Sequence, residues 1–208
     1  VKEIIEKNDQ EMIEIKPEDE SLLEEAAKEM DFVGMNYYFS KFMRGYAGKS
    51  ETFHNGTGEK GSSVSRLQGV GEEVHRKDIP ATDGDWPIYP KGMFDQLSRI
   101  KNHNKWDKEV YITENGMGCK DKFLEDKQTV EDDERIDYLQ KHMEEVAKAI
   151  ESGVNVKGYF VWSLQDMFSW TNGYSKRYGL FYVYFETQKR YPKKSAYWYK
   201  KVSETKEV

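Results

Sequence analysis

The chain has 208 residues, 34 % of them charged, and a formal net charge of −6. That length suits one domain or part of a larger one, and the acidic balance argues against a polyanionic partner such as nucleic acid. One cysteine cannot make an internal disulfide, no apolar run approaches the roughly 18 residues that a membrane span needs, and the opening VKEIIEKNDQ has none of the character of a signal peptide.

The stretch EDESLLEEAAKEM (18–30) predicts a helix, with Pro17 at its entry and acids crowding its first turn. DFVGMNYY (31–38) follows as a short, mostly apolar strand. Residues 40–85 are rich in Gly, Ser, Lys and Glu and show little periodicity, so they read as a long loop excursion, a lid or a partly mobile segment. PKGMFDQLSRIKNHN (90–104) is again helical with proline at its start, and KEVYITENG (108–116) is a buried type of strand ending in a glycine turn. DDERIDYLQKHMEEVAKAIESG (132–153) predicts a long amphipathic helix. Ile136, Leu139, Met143, Val146, Ala147 and Ile150 share its apolar face, and Gly153 ends it. KGYFVWSL (157–164) is a third strand, YGLFYVYF (178–185) a hairpin strand, and PKKSAYWYKKV (192–202) a terminal helix.

Strands separated by helices imply a parallel sheet, either open and doubly wound or closed into a barrel. No G-x-G-x-x-G opens a helix after a strand, so the dinucleotide-binding fingerprint is absent. All three strands end in polar groups: Asn36, Tyr37 and Tyr38; Glu114 and Asn115; Trp162, Ser163 and Asp166. In parallel α/β folds functional groups gather at these ends. A glutamate such as Glu114, between a buried strand and a glycine turn, can serve as nucleophile or general base; a plain solvated strand-end carboxylate is the alternative. Aromatic rings crowd between Tyr159 and Tyr199. Such rings stack on sugars and also fill cores.

Other chemistries find little support. His54, His75, His103 and His142 are scattered without ligand spacing. Cys119 has no base indicated beside it. KRYPKKSAYWYKK (189–201) interleaves bases with aromatics, a nucleic-acid signature in some proteins. The simpler reading is the solvated face of a helix whose rings turn inward.

Taken together, DFVGMNYY, YITENG (111–116) and GYFVWSLQDMFSWTNGYSKRYGLFYV (158–183), with KKSAYWYK (193–200), resemble glycoside hydrolase family 1. The resemblance implies a (β/α)8 barrel that cleaves β-glycosides with retention, needing neither metal nor other cofactor. By it, Glu114 is the nucleophile and Tyr38 orients it. Asn36 lies near the sugar 2-hydroxyl, Trp162 forms the floor of the glycone pocket, and Trp170 lies against the far side of the sugar. Members that cleave unphosphorylated sugars carry a glutamate where this chain has Ser169. A carboxylate there would repel a phosphate, which carries about −1.5 to −2 charge at neutral pH. Ser169, Lys176 and Tyr178 instead resemble the phosphate cradle of the 6-phospho-glycosidase branch. Trp170 and its flanks look more like the 6-phospho-β-galactosidase than the 6-phospho-β-glucosidase.

The family's acid/base motif, of Thr-x-Asn-Glu-Pro type, is missing, and only three good barrel strands are present. The expectation is therefore the C-terminal part of one barrel, about strands six to eight with their helices, with residues 40–85 as an excursion within it. A missing N-terminal half would supply the acid and several glycone contacts. Alone, the chain is expected to be inactive and unstable; a non-catalytic phospho-sugar-binding piece is the alternative. The partner expected is a phosphorylated disaccharide, and the compartment a bacterial cytoplasm.

Overall fold

A computed structural model of the chain describes residue 6 and residues 16–53, 64–82, 86–105, 107–170 and 172–208. Helix α1 (Pro17–Glu29) starts at a proline, and the Asp19 carboxylate accepts the Lys16 N–H at 2.9 Å. Strand β1 (Phe32–Asn36) follows. Four short strands come next: β2 (Met43–Arg44), β3 (Glu51–Phe53), β4 (Val64–Leu67) and β5 (Gly71–Glu73). Then α2 (Lys91–His103), β6 (Glu109–Asn115), α3 (Asp133–Glu151) and β7 (Val156–Val161) alternate. Strands β8 (Phe181–Tyr184) and β9 (Lys189–Pro192) form an antiparallel hairpin, and α4 (Lys194–Thr205) closes the described chain.

The central sheet is parallel, in the order β1-β6-β7. Helices α2 and α3 are the crossovers, as parallel neighbours require. Its core joins Met35, Met93, Leu97, Val110, Ile112, Val146 and Ala149, with Leu97, Ile112 and Ala149 wholly buried. A second cluster, Met117, Cys119, Tyr138, Leu139 and Leu180, lies beyond it, with Trp198 and Tyr199 packed against it. The sheet is open at both β1 and β7, so no barrel closes within the described residues.

Two expectations are revised. The excursion over 40–85 carries a four-stranded antiparallel sheet in the order β2-β5-β4-β3; residues 54–63 and 83–85 lie outside the described residues. Its ladders are flanked by surface ion pairs, Lys41 with Glu73 at 2.8 Å, Arg44 with Glu72 at 2.7 Å, and Arg66 with Glu51. On α3 the buried face is rotated from the one expected. Arg135, Tyr138 and His142 face inward, while Ala147 and Ile150 are exposed, because a polar network rather than an apolar stripe covers the first half of the helix.

Candidate active site

The backbone at the C-terminal end of the sheet is irregular. The β1–β6 register shifts between Met35 and Asn36, and the β6–β7 register between Ile112 and Asn115. Bulges of this kind re-aim side chains, and here they bring Tyr38, Glu114 and Trp162 to one cleft of about 440 Å³. Its lining is completed by Trp86, Met167, Ser169, Trp170 and Tyr178. The Trp162–Ser163 peptide is cis. Gly116 faces the Trp162 carbonyl so closely that an added Cβ would lie 1.9 Å from its oxygen, so only glycine fits there.

The Tyr38 hydroxyl donates to Glu114 Oε2. Burial, followed by that bond and the carboxylate charge, pushes the Tyr38 phenol well above its ordinary range, so it stays a donor. Tyr37 N–H donates to the Glu114 carbonyl at 2.9 Å, and Trp162 N–H to the Asn115 carbonyl at 2.9 Å. Behind them Asn115 is wholly buried. Its Nδ2 donates to the Tyr37 carbonyl at 2.6 Å and its Oδ1 accepts from Tyr159. Tyr138 donates to the Tyr38 carbonyl at 2.6 Å. The nucleophile candidate therefore stands on a polar shelf that fixes the backbone around it, while Tyr38 alone of these groups holds the carboxylate itself.

At the other end of the cleft, Ser169 and Tyr178 are buried, and the Tyr178 hydroxyl donates to Asn172 Oδ1 at 2.7 Å. Ser169 Oγ accepts the Asn172 N–H at 3.3 Å, so one asparagine joins the two hydroxyls. Lys176 is buried but is not among the side chains lining the cleft. Asn36 also stands outside the lining; it pairs with Glu114 in the strand register, and its Oδ1 accepts from Thr113 at 2.6 Å.

Sequence reasoning missed Trp86 and Met167. Trp86 packs against Tyr38, Phe39 and Tyr178 with ring centroids 5.5, 5.1 and 6.4 Å away. Its aromatic side chain at the edge of the supposed loop, in DWPIYP, was the signal available. Asp166, grouped above with the polar strand ends, is instead buried and paired with Lys193 at 2.8 Å and Arg177 at 3.3 Å. Cys119 is buried, and burial pushes its thiol up to about 11, far from a thiolate at neutral pH. His142 is buried, with Nδ1 at 2.7 Å from the Tyr138 carbonyl, and His54 lies outside the described residues. Among the described residues no group of three or more His, Cys, Asp or Glu could hold a metal ion, and no helix is long and apolar enough to cross a membrane.

These elements define part of an α/β fold, a parallel sheet with helical crossovers and a cleft at the C-terminal ends of its strands. The model of glycosyl hydrolase family 1 matches residues 1–208, and the chain belongs to that family. Among curated relatives it is 59 % identical over 194 residues to a 6-phospho-beta-galactosidase of Staphylococcus haemolyticus, covering 92 % of this chain and 41 % of that protein. It is 57 % identical over 197 residues to the 6-phospho-beta-galactosidase of Staphylococcus aureus, covering 94 % of this chain and 42 % of the relative. Among solved structures, the family 1 β-glucosidase of Thermotoga maritima superposes with a TM-score of 0.75 at 37 % identity, over 93 % of this chain and 39 % of that one. The fold is thus part of a (β/α)8 barrel, and the chain spans about two fifths of the length of the relatives it matches.

Proposed function

We propose that the complete polypeptide containing this chain hydrolyses 6-phospho-β-galactosides with retention of configuration. The reading rests chiefly on one arrangement: a glutamate held by a tyrosine hydroxyl, at one end of a cleft whose other end is buried hydroxyls. Glu114 attacks the anomeric carbon, the bond from that carbon to the leaving oxygen breaks, and a covalent glycosyl-enzyme forms. The leaving oxygen takes a proton from a second carboxylic acid, roughly 5–5.5 Å from the nucleophile in retaining enzymes. That acid lies outside this chain, so the chain alone is inactive. Water then releases the sugar, with the same acid acting as base. Tyr38 holds the carboxylate in line for attack. Trp162 forms the floor of the sugar site, Trp170 faces it from the far side, and Asn36 contacts the 2-hydroxyl. Ser169, Lys176 and Tyr178 take the 6-phosphate, with no carboxylate at position 169 to repel it. The relatives' printed names support the galacto reading over the gluco. Phosphorylated sugars stay where they are made, which places the reaction in a bacterial cytoplasm.

The test uses the complete polypeptide and chromogenic β-galactoside 6-phosphate, its gluco epimer and the unphosphorylated galactoside. The phosphorylated galactoside should give the highest kcat/KM. Glu114→Gln should lower kcat at least about 10³-fold without loss of fold. Ser169→Glu should cut kcat/KM about a hundredfold on the phosphorylated substrate alone, since like charges would meet in a buried site. Equal rates with and without the phosphate would refute the phosphate reading, and a faster gluco epimer would move the enzyme to the gluco branch.

A further inference from the structure

The residues assigned to the phosphate lie on a loop, and their spacing depends on what holds it. Lys176 and Tyr178 are both buried, yet the residue between them sends its side chain elsewhere. The Arg177 guanidinium donates to the Val183 carbonyl at 2.7 Å, to Asp166 Oδ2 at 3.3 Å and to the Tyr182 hydroxyl at 3.4 Å. It also lies between two rings, 4.4 Å from the Tyr182 centroid and 4.1 Å from that of Phe185. A guanidinium suits this position because it is planar, stacks on aromatic faces and forks to several acceptors.

The backbone of the same residue is gripped from the nucleophile's side. Arg177 N–H and carbonyl exchange hydrogen bonds with Cys119, both at 2.9 Å. The buried Arg135 guanidinium reaches the Arg177 carbonyl at 3.3 Å and the Met117 carbonyl at 2.5 Å. Met117 and Cys119 lie in the glycine-bearing segment ENGMGC that begins at Glu114. Arg177 is therefore the point at which the segment after Glu114 and the segment of Ser169, Lys176 and Tyr178 are joined.

Resting on the phosphate reading above, we infer that Arg177 is a positioning residue for phosphate recognition. It touches no substrate. Its side chain pins the backbone between Lys176 and Tyr178, so their donors stand preorganised at a fixed distance from the nucleophile. A phosphate oxygen then meets donors already ordered, and the ordering entropy is not charged against binding. A merely structural role would lower activity on every substrate alike. A positioning role lowers it where the phosphate is read.

The experiment compares the complete parent polypeptide with Arg177→Met and Arg177→Lys on nitrophenyl β-galactoside with and without the 6-phosphate. The parent's preference for the phosphorylated substrate is read first; its absence would refute the phosphate reading and this inference with it. Given that preference, Arg177→Met should raise KM for the phosphorylated substrate about tenfold, the scale of a lost charge-assisted hydrogen bond, with kcat changed less than about threefold. On the unphosphorylated substrate kcat/KM should fall less than about threefold, so the preference collapses. Arg177→Lys keeps the charge beside Asp166 and loses the fork, and should raise the same KM about threefold. It gives the same readout should Arg177→Met fail to fold. Equal losses on both substrates, or an unchanged preference in both variants, would overturn the inference.

Discussion

Around Glu114 the backbone is fixed by a parallel ladder lying over Met35, Leu97, Val110 and Ile112. Around Ser169 and Tyr178 it is fixed by three carboxylates, Asp121, Asp132 and Asp166, against the buried cations Arg135 and Lys193 and the half-buried Arg177. The first region combines neutral hydrogen bonds with non-directional burial beneath them, which tolerates small shape changes. The second relies on directed contacts. Asp166 alone accepts from Lys193, from Arg177 and from the backbone N–H groups of Gly179 and Val183 at 3.0 and 3.3 Å. Such a network need not add stability over an apolar core, but removing one partner strands the others. The lesson is that one cleft can be built from a part indifferent to charge and a part that is all charge.

Three stability measurements on the complete polypeptide would break or sharpen that contrast. The largest effect is expected from Lys193→Met, which leaves Asp121 and Asp166 buried without their shared cation and should cost about 4 kcal/mol by denaturant unfolding. Adding Asp166→Asn to it should cost less than the two single changes summed, because the sites share a partner. Leu97→Ala, in the wholly buried apolar part, should cost about 3 kcal/mol through lost transfer and a residual cavity. Combined with Lys193→Met it should be additive, and strong coupling between them would erase the division into two regions.

The smallest effect concerns pH. Burial depresses His142 from its ordinary 6.5 to about 4. The unfolded chain therefore binds a proton that the folded chain refuses. Stability from this site is complete above about pH 6.5 and is lost as pH falls toward 4. By pH 4.5 the loss should be about 2.5 kcal/mol, and His142→Leu should flatten that part of the profile. An unchanged profile would mean that the imidazole is not excluded from water.

Much of this was legible in the residues. The three parallel strands announce themselves as apolar runs ending at glycine or a polar cluster, and α2 and α3 as helical periods entered by proline or aspartate. Of the residues singled out in the sequence, Tyr38, Glu114, Trp162, Ser169, Trp170 and Tyr178 line one cleft, while Asn36 and Lys176 stand outside its lining. The four-stranded sheet was not legible, because its strands are two to four residues long and carry no clean apolar alternation. Nor was the ion network. Charged residues ordinarily read as solvated, and Lys193 sits in a basic run, KRYPKKSAYWYKK, whose solvated reading it contradicts by being wholly buried. Its partner Asp121 is 72 positions away in sequence, beyond any local pattern.

Two of the three tryptophans that line the cleft also differ in a way that light can read. Trp162 is tucked edge-on against Tyr38 and Tyr178, whereas Trp170 is 97 % exposed. An indole so fully in water emits at the red end of the tryptophan range and is the first that a collisional quencher such as acrylamide reaches. A sugar ring laid across it would shield it and shift its emission toward the blue. On the proposed reading, Trp170 is an optical reporter at the mouth of the cleft, sensitive to occupancy rather than to turnover.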